Sequence, residues 1–275
     1  MRPLGSSGPW EAGRITPRAT ALLAPNASWM TLDGTNSWLL AEPGAGVCVV
    51  VDPGPDDPGH LDGLVRAAGE LDTRITLILL THGHADHSAG ARHLHERTGA
   101  PVRALDPAHR LGDEGLVDGD VVGVGGLELH VVATPGHTTD SLTFHLPADG
   151  ALLTGDTVLG RGSAVIAHPD GHLGAYLASL DRLAALAGST GARWVLPGHG
   201  PACPDPAGLL ADYLEHRRER LALVSAAMAA GTTEPDDLLA VVYPEVPGAL
   251  LWAARLSLAA QVEYLTDRAP GLTAQ

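Results

Sequence analysis

The chain has 275 residues, of which 45% are hydrophobic, with 34 Gly and 21 Pro, which describes a sizeable α/β core cut by many turns. All basic residues are Arg, 17 against 32 acidic ones, and the formal charge of −15 disfavours nonspecific attraction to nucleic acid or an anionic membrane. Cys48 and Cys203 imply no disulfide framework, and the start of the chain has no secretory apolar run but reads as a frayed terminus. No window is apolar enough to cross a membrane, so the expected compartment is the cytoplasm.

In chain order, residues 37–41 and 46–51 are apolar runs separated by Pro43-Gly44-Ala45-Gly46, a predicted hairpin. Asp52-Pro53-Gly54-Pro55 closes the second strand, and Leu61, Leu64, Val65 and Ala68 mark a helix. Ile75 to Leu80 is a strand apolar apart from Thr76, suited to burial on both faces, and Ser88 to Thr98 reads as a helix stopped by Gly99. Strands follow at Val102 to Leu105, Val121 to Val124, Leu127 to Ala133, Ser141 to Leu146 and Ala151 to Leu153. A helix from about His172 to Ala187 precedes a last strand at Trp194 to Leu196. Strands interleaved with helices point to sheets covered by helices on their outer faces. Beyond Pro204 the spacing turns purely helical, at 207–230, 234–242 and 249–267, which divides the chain into a large domain over 1–204 and a small helical one over 205–275.

Chemistry concentrates in Thr81-His82-Gly83-His84-Ala85-Asp86-His87, directly after the apolar strand. His82 and His84 are two apart in an extended segment, so both imidazoles can point one way. Asp86 and His87 open the next helix, where its dipole favours a carboxylate. Zinc takes His nitrogen and carboxylate oxygen, and a catalytic site keeps a position open. Downstream, Thr134-Pro135-Gly136-His137, Thr154-Gly155-Asp156 and Pro197-Gly198-His199-Gly200 each deliver a ligand-type side chain through a Gly-bearing turn. Seven ligands result, about what two ions need if Asp156 bridges them.

This run, with the later His, Asp and His in order and Asp52 in Val51-Asp52-Pro53-Gly54, resembles the signature of the metallo-β-lactamase superfamily over about residues 20–204. The resemblance implies a four-layer αβ/βα sandwich and two zinc ions. It assigns one ion to His82, His84 and His137, the other to Asp86, His87 and His199, with Asp156 bridging and Asp52 supporting the site from behind the ligands. Thr31-Leu32-Asp33-Gly34-Thr35-Asn36, Gly136 to Ser141, Thr154 to Gly162 and Tyr213-Leu214-Glu215-His216-Arg217 are similar to one branch, in which a winged-helix-like domain follows the hydrolase. That branch includes a single-strand endoribonuclease and resembles thioesterases that release polyketides from carrier protein. The ribonuclease-like members continue into a basic wing, which is expected to be missing after Thr266-Asp267-Arg268.

Other residues carry weaker expectations. Asp86, besides ligating, and His168, a proton donor in the loop Gly160 to Pro169, are the catalytic candidates, although an exposed loop His is the blander alternative for His168. Thr138, Thr139 and Ser141 either contact substrate or satisfy backbone groups. Asn36 reads as a turn residue and Ser88 as a helix cap or packing residue. His216-Arg217-Arg218-Glu219-Arg220 offers a phosphate patch or a solvated helix face, within a tail of 10 acidic residues and 5 Arg from Asp205 onward. The expected activity is hydrolysis of an ester or thioester, small or carrier-linked, by a hydroxide on the dinuclear zinc. RNA cleavage is the alternative, disfavoured by charge. A mononuclear iron persulfide dioxygenase is the nonhydrolytic rival, and β-lactam hydrolysis ranks last because no export signal is evident.

Overall fold

The protein is described here by a computed structural model covering residue 5 and residues 10–268. The rest of the amino-terminal stretch expected to fray, and residues 269–275 beyond the point where a wing is expected to be missing, lie outside the described residues.

The elements run β1 (Ala19–Leu23), β2 (Asn36–Leu40), β3 (Val47–Val51), α1 (Pro58–Glu70), β4 (Arg74–Leu79), α2 (Ala85–Ser88), α3 (Ala91–Thr98) and β5 (Val102–Arg103). The second half runs β6 (Val121–Val124), β7 (Leu127–Ala133), β8 (Leu142–Leu146), β9 (Ala151–Gly155), α4 (Leu173–Thr190) and β10 (Trp194–Pro197). Three helices close it, α5 (Pro206–Ala229), α6 (Pro235–Val242) and α7 (Leu251–Asp267). Two five-stranded sheets form, ordered β1-β2-β3-β4-β5 and β10-β9-β8-β7-β6.

Strand alternation assigns the faces. Val49 and Val51 of β3 and Leu142, Phe144 and Leu146 of β8 enter a shared core between the sheets, with Trp38, Leu79 and Leu153. On the outer face of the first sheet, Cys48, Val50 and Ile78 meet Leu61 and Leu64 of α1 and Leu94 of α3. On the outer face of the second, Leu152 and Val195 meet Tyr176 and Leu180 of α4 and Leu210 and Tyr213 of α5. The layers are thus helix, sheet, sheet, helix. The far half of α5 forms a separate small core with α6 and α7 around Val224, Leu239 and Leu258.

One strand is added to the expected elements and two local expectations are corrected. β1 carries no strong apolar alternation in Ala-Thr-Ala-Leu-Leu, yet pairs along its length with β2. Val65 faces solvent at 41% exposure, because the buried stripe of α1 falls on Leu61, Leu64 and Ala68. The helix expected from Ser88 begins at Ala91 instead, since the Gly90 N–H is spent on Gly54 O at 3.0 Å.

An ion pair away from the site also ties the two sheets together. Asp149, in the turn between β8 and β9, is buried and accepts from Arg18 Nη1 (2.7 Å), the Arg18 backbone N–H (3.0 Å) and the Thr16 hydroxyl. Asp149→Ala leaves these donors unmatched, and because Arg18 keeps Glu42 the expected loss is about 3 kcal/mol, the low end for breaking a buried pair. Urea denaturation checks this; a loss below about 1 kcal/mol would make the pair a surface ornament.

Candidate metal centre

Strand direction assembles the site. β3 and β4 are parallel, so Asp52 and the His82 to His87 run leave the first sheet at the same end. β7 and β9 each run antiparallel to β8, and β10 runs parallel to β9, so the turns bearing His137, Asp156 and His199 leave the second sheet together. The two sets meet across the sandwich.

Three groups of ligand-type atoms result: His82, His84 and His137; His82, His87 and Asp156; and Asp86, His87 and His199, the atoms of each lying within 4.8 Å of one another. Asp156 reaches both ends of the cluster. Its Oδ1 is 3.4 Å from His87 Nε2, and its Oδ2 is 3.4 Å from His199 Nε2 and 3.7 Å from His137 Nε2. The chain approaches closely here: a Cβ on Gly198 would lie 2.5 Å from Asp156 Oδ1 and 2.6 Å from a His87 ring carbon.

The donor set fits a divalent metal. His137 donates from Nδ1 to Val165 O (2.8 Å), His87 to Asp52 Oδ2 (2.9 Å) and His199 to Gly34 O (3.2 Å), so each presents a bare Nε2 to the centre. His87 Nε2 and His199 Nε2 face each other at 3.2 Å. His84 Nδ1 lies 3.1 Å from both His82 Nε2 and His137 Nε2, and one proton cannot serve both. Asp156 Oδ1 is buried without a hydrogen-bond partner. Lone pairs and a carboxylate oxygen converging in this way call for a shared cation.

Without a cation, protons supply the positive charge that the carboxylates call for, and a bound metal would take their place on His87 and His199. Burial pushes His82 well below the usual imidazole range, helped by His87, and burial also lowers His137. Burial opposes charge on His87 and His199 too, but the Asp156 carboxylate, with Asp52 for His87 and Asp86 for His199, wins and holds them high, His199 at about 9. Asp156 stays ionised far below its ordinary range despite burial, because His199 and His87 face it.

The supports lie behind the ligands. Asp52 takes a left-handed backbone conformation at φ 53°, which Asp tolerates, and accepts from the Thr81 N–H (2.8 Å), the Thr81 hydroxyl (2.6 Å) and His87. Asn36, read from the sequence as a turn residue, is instead fully buried in β2. Its Nδ2 donates to Pro197 O (3.0 Å) and Gly200 O (2.8 Å), bracketing the His199 turn, and its Oδ1 accepts from Trp10. Ser88 bonds Gly83 O at 2.9 Å, and the Thr138 and Ser141 hydroxyls bond each other at 2.7 Å, a local use of both.

His168 is not brought to this cluster. Its Nδ1 lies 3.2 Å from Glu263 Oε2 on α7, and it lines a separate groove with Leu238, Leu258 and Val262. The inward side of its segment is taken by Ala164 and Ile166, which are buried, and by Val165 O, which holds His137.

Residues 30–199 match the family profile of the metallo-beta-lactamase superfamily. The chain belongs to that superfamily. It is accordingly a metal-dependent hydrolase. It is 34% identical to the lactamase-like protein aptB of Emericella nidulans, over 79% of this chain and 69% of that one. It is 32% identical to an atrochrysone carboxyl ACP thioesterase of Aspergillus chevalieri, over 78% of this chain and 67% of that one. The fold superposes on the crystal structure of a metallo-beta-lactamase family protein from Thermus thermophilus with a TM-score of 0.73 and 25% identity, covering 91% and 94% of the two chains. Among the described residues no helix is long and apolar enough to cross a membrane.

Proposed function

We propose that this superfamily member is a dinuclear zinc thioesterase acting on an acyl group carried as a thioester. In this reading His82, His84 and His137 hold one ion, Asp86, His87 and His199 hold the other, and Asp156, within reach of both sets, lies between them. Bound there, the metal supplies Lewis acidity toward a carbonyl and brings the pKa of water toward about 7. The chain does the positioning. Asp52 aims His87, Asn36 fixes the turn of His199, and Val165 O orients His137.

The observation that carries the substrate class is a cleft of about 350 Å³ that opens directly off His137 and Asp156 and has mostly apolar walls, including Trp29, Leu159, Val246 and Ala254. Its size falls in the range of small-molecule sites, and an apolar acyl chain gains from its walls where a phosphodiester backbone does not. The thioesterase name of one relative points the same way. Two of the three arginines that suggested a phosphate patch turn inward: Arg217 is buried, bonds Ala164 O at 2.5 Å and stacks on Tyr176, and Arg220 bonds Val242 O, while Arg218 stays exposed.

The test offers the purified protein acyl thioesters, both carrier-linked and on a short thiol, alongside single-stranded RNA and a chromogenic β-lactam. Expected are thioester turnover lost with a chelator and regained with zinc, and about two zinc per chain by elemental analysis. Salt-sensitive RNA cutting without thioester turnover would replace the reading, and one iron with no zinc would end the dinuclear part of it.

A further inference from the structure

The cleft beside the metal cluster is apolar on most of its wall, with polar lining from Arg161, Ser163, Tyr243 and Ser257 and, on α5, from His216 and Arg217. Tyr213, His216 and Arg217 fall at the i, i+3 and i+4 positions of that helix and share a face. Two of the three are occupied with the loop that follows Asp156. The Tyr213 hydroxyl accepts from the Leu159 N–H and donates to Gly162 O, both at 2.8 Å, and Arg217 bonds Ala164 O. His216, between them in sequence, lines the cleft and bonds to nothing: among the described residues neither ring nitrogen has a partner.

The imidazole's chemistry narrows its use. Nδ1 is sealed from solvent, which leaves Nε2 as the nitrogen facing the cleft. A buried N–H without an acceptor is costlier than a bare lone pair, so the ring proton resides on Nε2. Burial, reinforced by Arg217 and Arg220, pushes the group down to about 4, so the ring is neutral in ordinary buffers. The cleft is thereby furnished with a neutral N–H donor on a wall that is mostly apolar, near a mouth where Trp29 is 66% exposed and Met30 37%.

We infer that His216 is a specificity-determining residue, donating from Nε2 to a keto or hydroxyl oxygen carried on an otherwise apolar acyl group, at a point beyond the carbonyl that reacts. The thioesterase reading supplies the identity of the occupant; the donor and the apolar walls select which acyl groups fit. A plain acyl chain leaves the N–H unmatched, and one oxygen at the right position satisfies it. A neutral hydrogen bond of this kind discriminates by about 3- to 10-fold.

The experiment uses thioesters of one short thiol with decanoyl groups, either unsubstituted or with a single keto group moved along the chain. In the wild type, one keto position is expected to raise kcat/KM by about 3- to 10-fold over plain decanoyl. His216→Phe, which keeps a ring of similar shape, should erase that preference, bringing keto and plain decanoyl thioesters to the same kcat/KM. His216→Gln, which retains an N–H donor, should restore part of it. Calorimetric titration with the matching free acids should show the same ratio in Kd, independent of turnover. Equal treatment of every acyl group by the wild type, or a preference that survives His216→Phe, would overturn the inference and leave the thioesterase reading standing. Absence of thioester turnover with the calorimetric ratio intact would do the reverse. A preference that follows the length of the thiol arm and ignores the keto group would give the cleft to the leaving group, and His216 would lose its assignment.

Discussion

Asp156→Ala is expected to lower activity by several kcal/mol of barrier, on the order of 10³-fold or more, and to reduce bound metal in the same preparation. The side chain reaches His87 with one oxygen, His199 and His137 with the other. It is the carboxylate common to both ends of the cluster, and its unpartnered Oδ1 is the clearest sign of an atom waiting for a cation. Removing it takes a negative charge from the point where three imidazoles converge. The fold should tolerate the change, since Asp156 braces no backbone in the structure. Elemental analysis together with a thermal melt checks this. Full metal content with full activity would remove Asp156 from the centre, and an unfolded variant would mean that it serves the scaffold.

Asp86→Ala and Asp52→Ala are expected to fail in different ways. Asp86 is 29% exposed and its Oδ2 lies 3.1 Å from His199 Nε2, with no backbone group depending on it. Its loss should cost little stability but most of the activity, with metal content reduced. Asp52 is buried and accepts from the Thr81 N–H, the Thr81 hydroxyl and His87 Nδ1. Truncation orphans these donors and places Ala in a left-handed conformation, so about 3 to 5 kcal/mol of stability should be lost. The effect on metal affinity should stay within the 10- to 100-fold (~) typical of groups that orient a ligand. Denaturation curves and metal titrations on both variants give four readings. Equal stability loss in the two, or retained metal affinity in Asp86→Ala, contradicts the division between ligand and support.

Much of this site is local in sequence, and that part was legible there. His82, His84, Asp86 and His87 fall within six residues at the end of an apolar strand, so strand geometry and the following helix start suffice to gather them. The turns bearing His137, Asp156 and His199 announce themselves by Gly and by the strands before them. Even the helical end of the chain shows in its sequence, since helix-forming residues run on there without any strand-like stretch. A strand was missed where the local signal is weak: β1, Ala-Thr-Ala-Leu-Leu, has no apolar–polar alternation and is a strand because β2 pairs with it along its length.

What tertiary structure alone decided is which loops meet. Asn36 reaches carbonyls 161 and 164 residues away, and no pattern around Gly34-Thr35-Asn36 distinguishes that from a turn. His168 has the same composition of neighbours as a site loop, yet Glu263, 95 residues later, holds it on the far helices. Tyr213, His216 and Arg217 read as one helix face, but whether that face meets solvent, phosphate or a cleft depends on where α5 lies against the loop after Asp156. Periodicity and turn chemistry act over a few residues; sheet order and helix docking are set by burial of the whole core, and the partners they bring together carry no mark of one another in the chain.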